Sequence, residues 1–142
     1  MESIENIRLL RLHRSLLSDR QRTEGYRRAI FATVKKGDVA LDLGTGMGIL
    51  ALFACQAGAR KVYAIEARDV IEIAKRACLQ NGYQDRVVFL KGLSYRLDLP
   101  EKVDVLITET MGNLGLEENI LGTVMDARKR FLKRDGQPEE PL

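Results

Sequence analysis

Residues 41–50 read LDLGTGMGIL, in which Gly44, Gly46 and Gly48 alternate directly after an apolar, strand-like start. Glycine lacks a Cβ, so it takes positive φ freely and lets a backbone lie against a ligand. A strand that breaks into such a turn and resumes as the apolar run ILALFACQAG (49–58) predicts a β-turn-α unit. The rest of the chain keeps the alternation. VALDL (39–43), KVYAIE (61–66), RVVFL (86–90) and VDVLIT (103–108) read as strands, the last two as near-continuous apolar runs typical of parallel strands buried on both faces. Helical spacing marks residues 4–17, 20–34, 70–82 and about 117–133, and the Gly37-Asp38 turn closes the N-terminal helical part. Alternating strands and helices predict an α/β fold, a mostly parallel sheet with flanking helices and right-handed crossovers.

With 142 residues the chain is about one domain long, and its 45% apolar and 30% charged residues fit an ordinary globular protein. No apolar run approaches the roughly 20 residues that span a bilayer. The start, MESIENIRLL, places Glu2, Glu5 and Arg8 where a signal peptide needs apolar residues. A cytoplasmic protein with no membrane partner is therefore expected. Cys55 and Cys78 sit in helical apolar patterns without metal-ligand spacing and read as buried thiols. His13 is the only histidine, so no metal site is expected.

The net charge of +3 is concentrated at the ends: Arg8, Arg11, Arg14, Arg20, Arg22, Arg27 and Arg28 in the first segment, Arg128, Lys129, Arg130, Lys133 and Arg134 in the last. Solvated helix faces are the plainer reading, ahead of a surface for acidic partners or RNA, because no aromatic residues interleave as a stacking platform requires. Nucleic acid stays open as a partner.

In open α/β sheets ligands bind beyond the carboxyl ends of the strands, where strand order reverses, and the glycine turn is placed there. A dinucleotide fingerprint G-x-G-x-x-G counted from Gly44 would need a third glycine at Ile49. The pattern present is D-x-G-x-G-x-G, formed by Asp42, Gly44, Gly46 and Gly48. It resembles the first motif of class I S-adenosylmethionine-dependent methyltransferases. That resemblance implies a Rossmann-like core, S-adenosylmethionine as cofactor, and glycines against its amino-acid end, with Asp42 orienting the turn or reaching the cofactor amine through water. Glu66 ends the second strand about 20 residues on, where a carboxylate can accept both ribose hydroxyls of adenosine; NAD would be served equally by that acid. Gly92-Leu93-Ser94-Tyr95 follows the third strand, where methyltransferases of this class hold adenine, which implies roles for Ser94 and Tyr95.

The stretch ITETMGNLGLEENILGTVMDARKRFL narrows the resemblance to the protein arginine methyltransferases. Their loop after the fourth strand carries S-E-x-M-G and a second glutamate before a helix, and Glu109, Met111, Gly112 and Glu118 fall on that pattern. Glu109 and Glu118 are thereby implied as the catalytic pair that grips the acceptor guanidinium, with Glu109 and Thr123 also lining the cofactor site. Two carboxylates can hold the planar fork bidentately and set one nitrogen in line with the methyl. The plainer reading has Glu109 ending a strand and Glu118 favouring a helix N-terminus. Upstream, HRSLLSDRQRTEGYRRAI resembles the family's N-terminal helical segment. On that match Leu16 stands where the family has a methionine beside the cofactor, and Arg22 where an arginine pairs with the cofactor carboxylate.

The chain departs from the family in several places. It has no aromatic element before His13, Thr110 replaces a tryptophan, and NLGL lacks the family's aromatics. After Asp135-Gly136, QPEEPL stands where a further strand is expected, so the core is expected to lack the carboxyl-terminal strands and the β-barrel. The organisation expected is an N-terminal helical cofactor lid (1–37), a Rossmann-like core (38–136) and a short tail (137–142). The chain is then the cofactor-binding half of a larger protein or a divergent small relative, binding cofactor and methylating weakly or not at all. A further domain or a second copy would cover the open edge of the fourth strand. The acceptor implied is an arginine-containing protein or peptide; a small amine, another side chain, RNA, or a non-catalytic cofactor-binding role are the alternatives.

Overall fold

The computed structural model describes residues 4–109 and 120–134, with side chains from Asp19 onward except that of Ile120. The first element is α1 (Ile4–Thr33), followed by β1 (Val39–Leu43), α2 (Ile49–Ala57), β2 (Lys61–Glu66) and α3 (Ile71–Gln80). Then come β3 (Val87–Lys91), a 3₁₀ turn (Ser94–Arg96), β4 (Val105–Thr108) and α4 (Ile120–Phe131). The four strands are parallel in the order β3-β2-β1-β4. β1 is therefore central, and the chain reverses direction across the sheet between β1 and β4.

Successive strand residues alternate between two cores, as a pleated strand demands. Ala40, Val62, Ala64 and Ile107 face α1, α2 and α3, where Ile30, Val34, Leu50, Ala54, Cys55 and Cys78 complete one cluster. Val39, Leu41, Leu43, Tyr63 and Ile65 face the other way, against Leu99, Ala127 and Phe131. The sheet is thus sandwiched between three helices on one side and α4 with the β3–β4 connection on the other. Cys55 and Cys78 are both buried and unpaired. Among the described residues, no helix is long and apolar enough to cross a membrane.

Two expectations are corrected, and one lies partly outside the described residues. The two helical stretches at 4–17 and 20–34 are one helix of 30 residues. Asp19 stays inside it and forms an ion pair one turn on with Arg22, so a residue that suits a helix start is absorbed within one. β4 begins at Val105, because Val103 bridges to Leu132 and the Asp104 carboxylate turns aside to accept the Val39 amide at 2.8 Å. The last helix is described from Ile120 to Phe131; Glu117, Glu118 and the loop from Thr110 lie outside the described residues.

Candidate functional site

A cavity of about 390 Å³ opens at the carboxyl ends of all four strands. Its wall takes Arg22, Thr23 and Tyr26 from α1, residues 43–47 with Ile49 and Leu50 from the glycine turn and α2, and Glu66 to Arg68 from the end of β2. Gly92, Leu93 and Ser94 after β3, Thr108 and Glu109 at the end of β4, and Thr123 and Val124 on α4 complete it. Its size lies in the ~300–1,000 Å³ range of small-molecule pockets, and it sits at the reversal of strand order.

The glycine turn is fixed from β2. The amides of Gly44 and Thr45 both donate to the Ile65 carbonyl at 2.9 Å, and the Gly46 amide donates to Glu66 Oε1 at 3.0 Å. Gly46 needs its freedom, since it holds φ +55° where the backbone borders the cavity. Gly48 has a different reason. It caps α2 at φ +87°, and a Cβ there would lie 3.0 Å from Ala74 Cβ and 3.2 Å from Ala74 Cα. Gly48 therefore lets α2 approach α3, and it is not on the cavity wall.

Glu66 is only 5% exposed, so it is no solvated strand end. Its Oε2 accepts from the Arg68 amide at 3.0 Å and, at a longer 3.4 Å, from Arg68 Nε, while Oε1 has one donor and room for a second. Asp42 lies beneath the turn at 1% exposure and does not reach the wall. Its Oδ2 accepts the Thr45 hydroxyl at 2.7 Å, and Oδ1 has no hydrogen-bond partner among the described residues. Burial pushes its pKa up to about 7, against the lowering effect of the Thr45 hydroxyl and the Ala51 amide, and the charges of Glu109 and Glu66 add to the rise.

Arg22 faces the cavity from α1, with Nε 3.8 Å from Glu109 Oε1. Ser94 is 5% exposed, and its hydroxyl in the wall has no partner among the described residues. Tyr95 is 54% exposed, lies under the Arg96 guanidinium at 5.8 Å, and is not on the wall. Of the residues expected from sequence, the structure gathers Arg22, Gly44, Gly46, Glu66, Ser94, Glu109 and Thr123 on one cavity, with Asp42 behind them. Glu118 and the side chain of Leu16 lie outside the described residues. Sequence reading missed Tyr26, although its i+4 spacing from Arg22 puts the two on one helix face, and missed Thr23 and Arg68. Among the described residues there is no cluster of His, Cys, Asp and Glu able to hold a metal ion.

A family model described as "Ribosomal protein L11 methyltransferase (PrmA)" matches residues 21–137. The chain belongs to this methyltransferase family. It is also 43% identical over 127 residues to the probable protein arginine N-methyltransferase 6 of Arabidopsis thaliana, covering 88% of this chain and 29% of that protein. The solved structure of Arabidopsis thaliana protein arginine methyltransferase 10, described as uniquely open, superposes with a TM-score of 0.77 at 42% identity, over 87% of this chain and 36% of that one. A Trypanosoma brucei PRMT1 enzyme–prozyme heterotetramer with AdoHcy gives 0.75 at 38% identity, over 86% and 39%. This methyltransferase-family chain spans about a third of the length of the curated relatives it matches. The fold expected from sequence, a Rossmann-like methyltransferase core, is the fold observed.

Proposed function

We propose that the cavity binds S-adenosylmethionine and that the chain forms the cofactor-binding part of a protein arginine N-methyltransferase-like enzyme. The observation that carries this reading is the convergence on the wall of two carboxylates, Glu66 and Glu109, with the acid Asp42 buried beneath them, and of two guanidiniums, Arg22 facing Glu109 and Arg68 beside Glu66. S-adenosylmethionine presents a sulfonium and an ammonium beside a single carboxylate. Acids complement the two cations, and Arg22 complements the carboxylate. NAD would bring a pyrophosphate against a wall that carries Glu66 and Glu109, with Arg68 already beside Glu66.

In this reading residues 1–37 act as a lid over a core of residues 38–136. Gly44 and Gly46 bring backbone against the homocysteine end, and Asp42 orients the turn through Thr45. Glu66 accepts the ribose hydroxyls, using the free capacity of Oε1 and displacing the long Arg68 contact. Ser94 meets the adenine with its unpartnered hydroxyl; Tyr95, one residue on, would have to swing in from its exposed position to join it. Thr123 contributes wall.

When bound, the cofactor supplies an electrophilic methyl group. The chain's part is to position an acceptor for it. Glu109 already faces a guanidinium, that of Arg22, and with Glu118 would grip an acceptor arginine, concentrating electron density on one nitrogen. A peptide or protein containing arginine is the partner this chemistry fits. The family model's description, a methyltransferase of a ribosomal protein, supports a second reading with another acceptor on the same core. We place the protein in the cytoplasm, as its two buried, unpaired thiols support. A further domain or a second copy is proposed over the free side of β4, which pairs only with β1 among the described residues.

Calorimetric titration with S-adenosylmethionine, S-adenosylhomocysteine and NAD tests the cofactor. Binding of the first two and not the third is expected; binding of NAD alone overturns the reading. Labelled methyl transfer by the full-length protein to an arginine peptide, compared with a lysine peptide and a small amine, separates the acceptors.

A further inference from the structure

Arg130 lies in the last turn of α4 and reaches across to the turn that follows β3. Its Nη2 donates to the carbonyls of Ser94 at 3.0 Å and Leu97 at 2.8 Å, and Nη1 donates to Leu97 O at 3.2 Å. The guanidinium has an acid and a ring beside it: Nε is 3.4 Å from Asp126 Oδ1 one turn earlier, an ion pair without hydrogen-bond geometry, and Cζ lies 4.5 Å from the centre of the Phe131 ring. Its fork is thus preset, and less freedom is lost in each bond it makes.

The turn is otherwise held at its ends, by the Gly92 amide on the Glu66 carbonyl at 3.0 Å and by Leu97 packed against the core. Within it, the Arg96 amide donates to Leu93 O at 2.9 Å and the Leu97 amide to Ser94 O at 3.2 Å, the poorer geometry of a single 3₁₀ turn. Yet this turn carries the buried, unpartnered Ser94 hydroxyl into the cavity wall. We infer that Arg130, which is not itself on the wall, is a positioning residue that aims Ser94 at the nucleoside end of the cavity. The inference rests on the proposed binding of S-adenosylmethionine. Because α4 also supplies Thr123 and Val124, Arg130 ties two walls of the cavity together. A lysine ammonium could at best copy the two bonds of Nη2; it lacks the Nη1 donor to Leu97 and the planar guanidinium over the Phe131 ring, so it holds the turn less firmly.

The test is calorimetric titration of S-adenosylhomocysteine into wild type, Arg130→Lys, Ser94→Ala and the double variant. Each single change is expected to weaken binding by roughly threefold to tenfold, the size of one hydrogen bond. The double variant should bind no more weakly than the weaker single, because both act through one group. Arg128→Lys, exposed on the same helix, should bind as wild type does. Wild-type affinity in Arg130→Lys, or losses that multiply in the double variant, overturn the inference. If wild type itself does not bind, the cofactor reading fails and the nucleoside assignment with it. Hydrogen exchange then judges the anchor alone: the Arg96 and Leu97 amides should exchange faster in Arg130→Lys than in Arg128→Lys, and equal rates remove the anchor. Should Arg130→Lys not fold, Asp126→Asn, which takes away the charge that faces Arg130 Nε at 3.4 Å, is expected to weaken binding in the same direction, and unchanged affinity there overturns the inference.

Discussion

The Gly46 amide donates to Glu66 Oε1 at 3.0 Å, so the middle of the glycine turn hangs on the carboxylate that ends the neighbouring strand. Two sequence features 20 residues apart are therefore one device. The acid offered to a ligand also holds the backbone against which that ligand would lie.

Glu66→Ala should accordingly do double damage, removing the ribose acceptor and releasing the Gly46 amide. Loss of S-adenosylhomocysteine affinity by roughly a hundredfold or more is expected, since each bond to a charged group contributes about 1.5–3 kcal/mol. Glu66→Gln keeps one oxygen for Gly46 and should lose less, about tenfold. Titration of both variants measures this, and an unchanged dissociation constant in Glu66→Ala removes the residue from the site.

Gly48→Ala should act through stability. It forces a Cβ onto Ala74 at 3.0 Å and adds the strain of φ +87°. Gly37 is the control, with φ +90° and nothing within 4 Å of an added Cβ. Gly37→Ala should cost only the left-handed strain, about 1–2 kcal/mol, and Gly48→Ala about 1–3 kcal/mol more from overpacking. Urea unfolding distinguishes them, and Ala74→Gly should restore part of the loss in Gly48→Ala alone. Equal costs at the two glycines would mean that α2 and α3 do not depend on a close approach at Gly48.

What the sequence made legible follows from how local each signal is. Four strands and the glycine turn were readable because apolar side-chain runs and glycine spacing are local signals, each contained in a few consecutive residues. Glu66 was readable as an acid at a strand end, but its bond to Gly46 was not, because it depends on the register of β1 against β2. Gly48 read as a ligand contact, yet its neighbour is Ala74, brought near only when α3 docks. The continuous α1 was read as two helices because the helical spacing was followed over 4–17 and again over 20–34, and nothing local announces that Asp19 between them will pair with Arg22. Arg130 looked like one charge in a basic run; its hold on Ser94 O spans 36 residues of sequence.

Arg22 and Arg27 provide a matched pair on one helix. Arg22 faces the cavity and Glu109, whereas Arg27 is exposed, stacks on Phe31 at 4.7 Å and pairs with Glu24 at 3.5 Å. Arg22→Lys loses the planar fork and should weaken S-adenosylhomocysteine binding by about tenfold, while Arg27→Lys should leave it unchanged. Equal dissociation constants in the two variants would place Arg22 among the surface arginines.

Asp42 gives a prediction in pH. Burial lifts its carboxyl from an ordinary 3.8 to about 7, with the charges of Glu109 and Glu66 adding to the rise and the Thr45 hydroxyl and Ala51 amide opposing it. Between these two values the native chain keeps a proton that the unfolded chain releases. The stability tied to that proton is thus fully present below the lower value and is lost as pH rises through the higher one. Asp42→Asn keeps an oxygen for the Thr45 hydroxyl and carries no charge, so it should lack this slope. The variant is expected to gain on wild type in urea unfolding between about pH 4.5 and 8, by a few kcal/mol at one pKa unit per ~1.4 kcal/mol. Parallel curves would mean that the native carboxyl is ionised throughout. A cationic cofactor placed beside Asp42 should also favour its charged form and expel the proton. Binding of S-adenosylmethionine near pH 6.5, about half a unit below the shifted value, should then release protons, seen as heats that differ between buffers of different ionisation enthalpy. Asp42→Asn should show no such difference, and a difference that survives the substitution would assign the proton to another group.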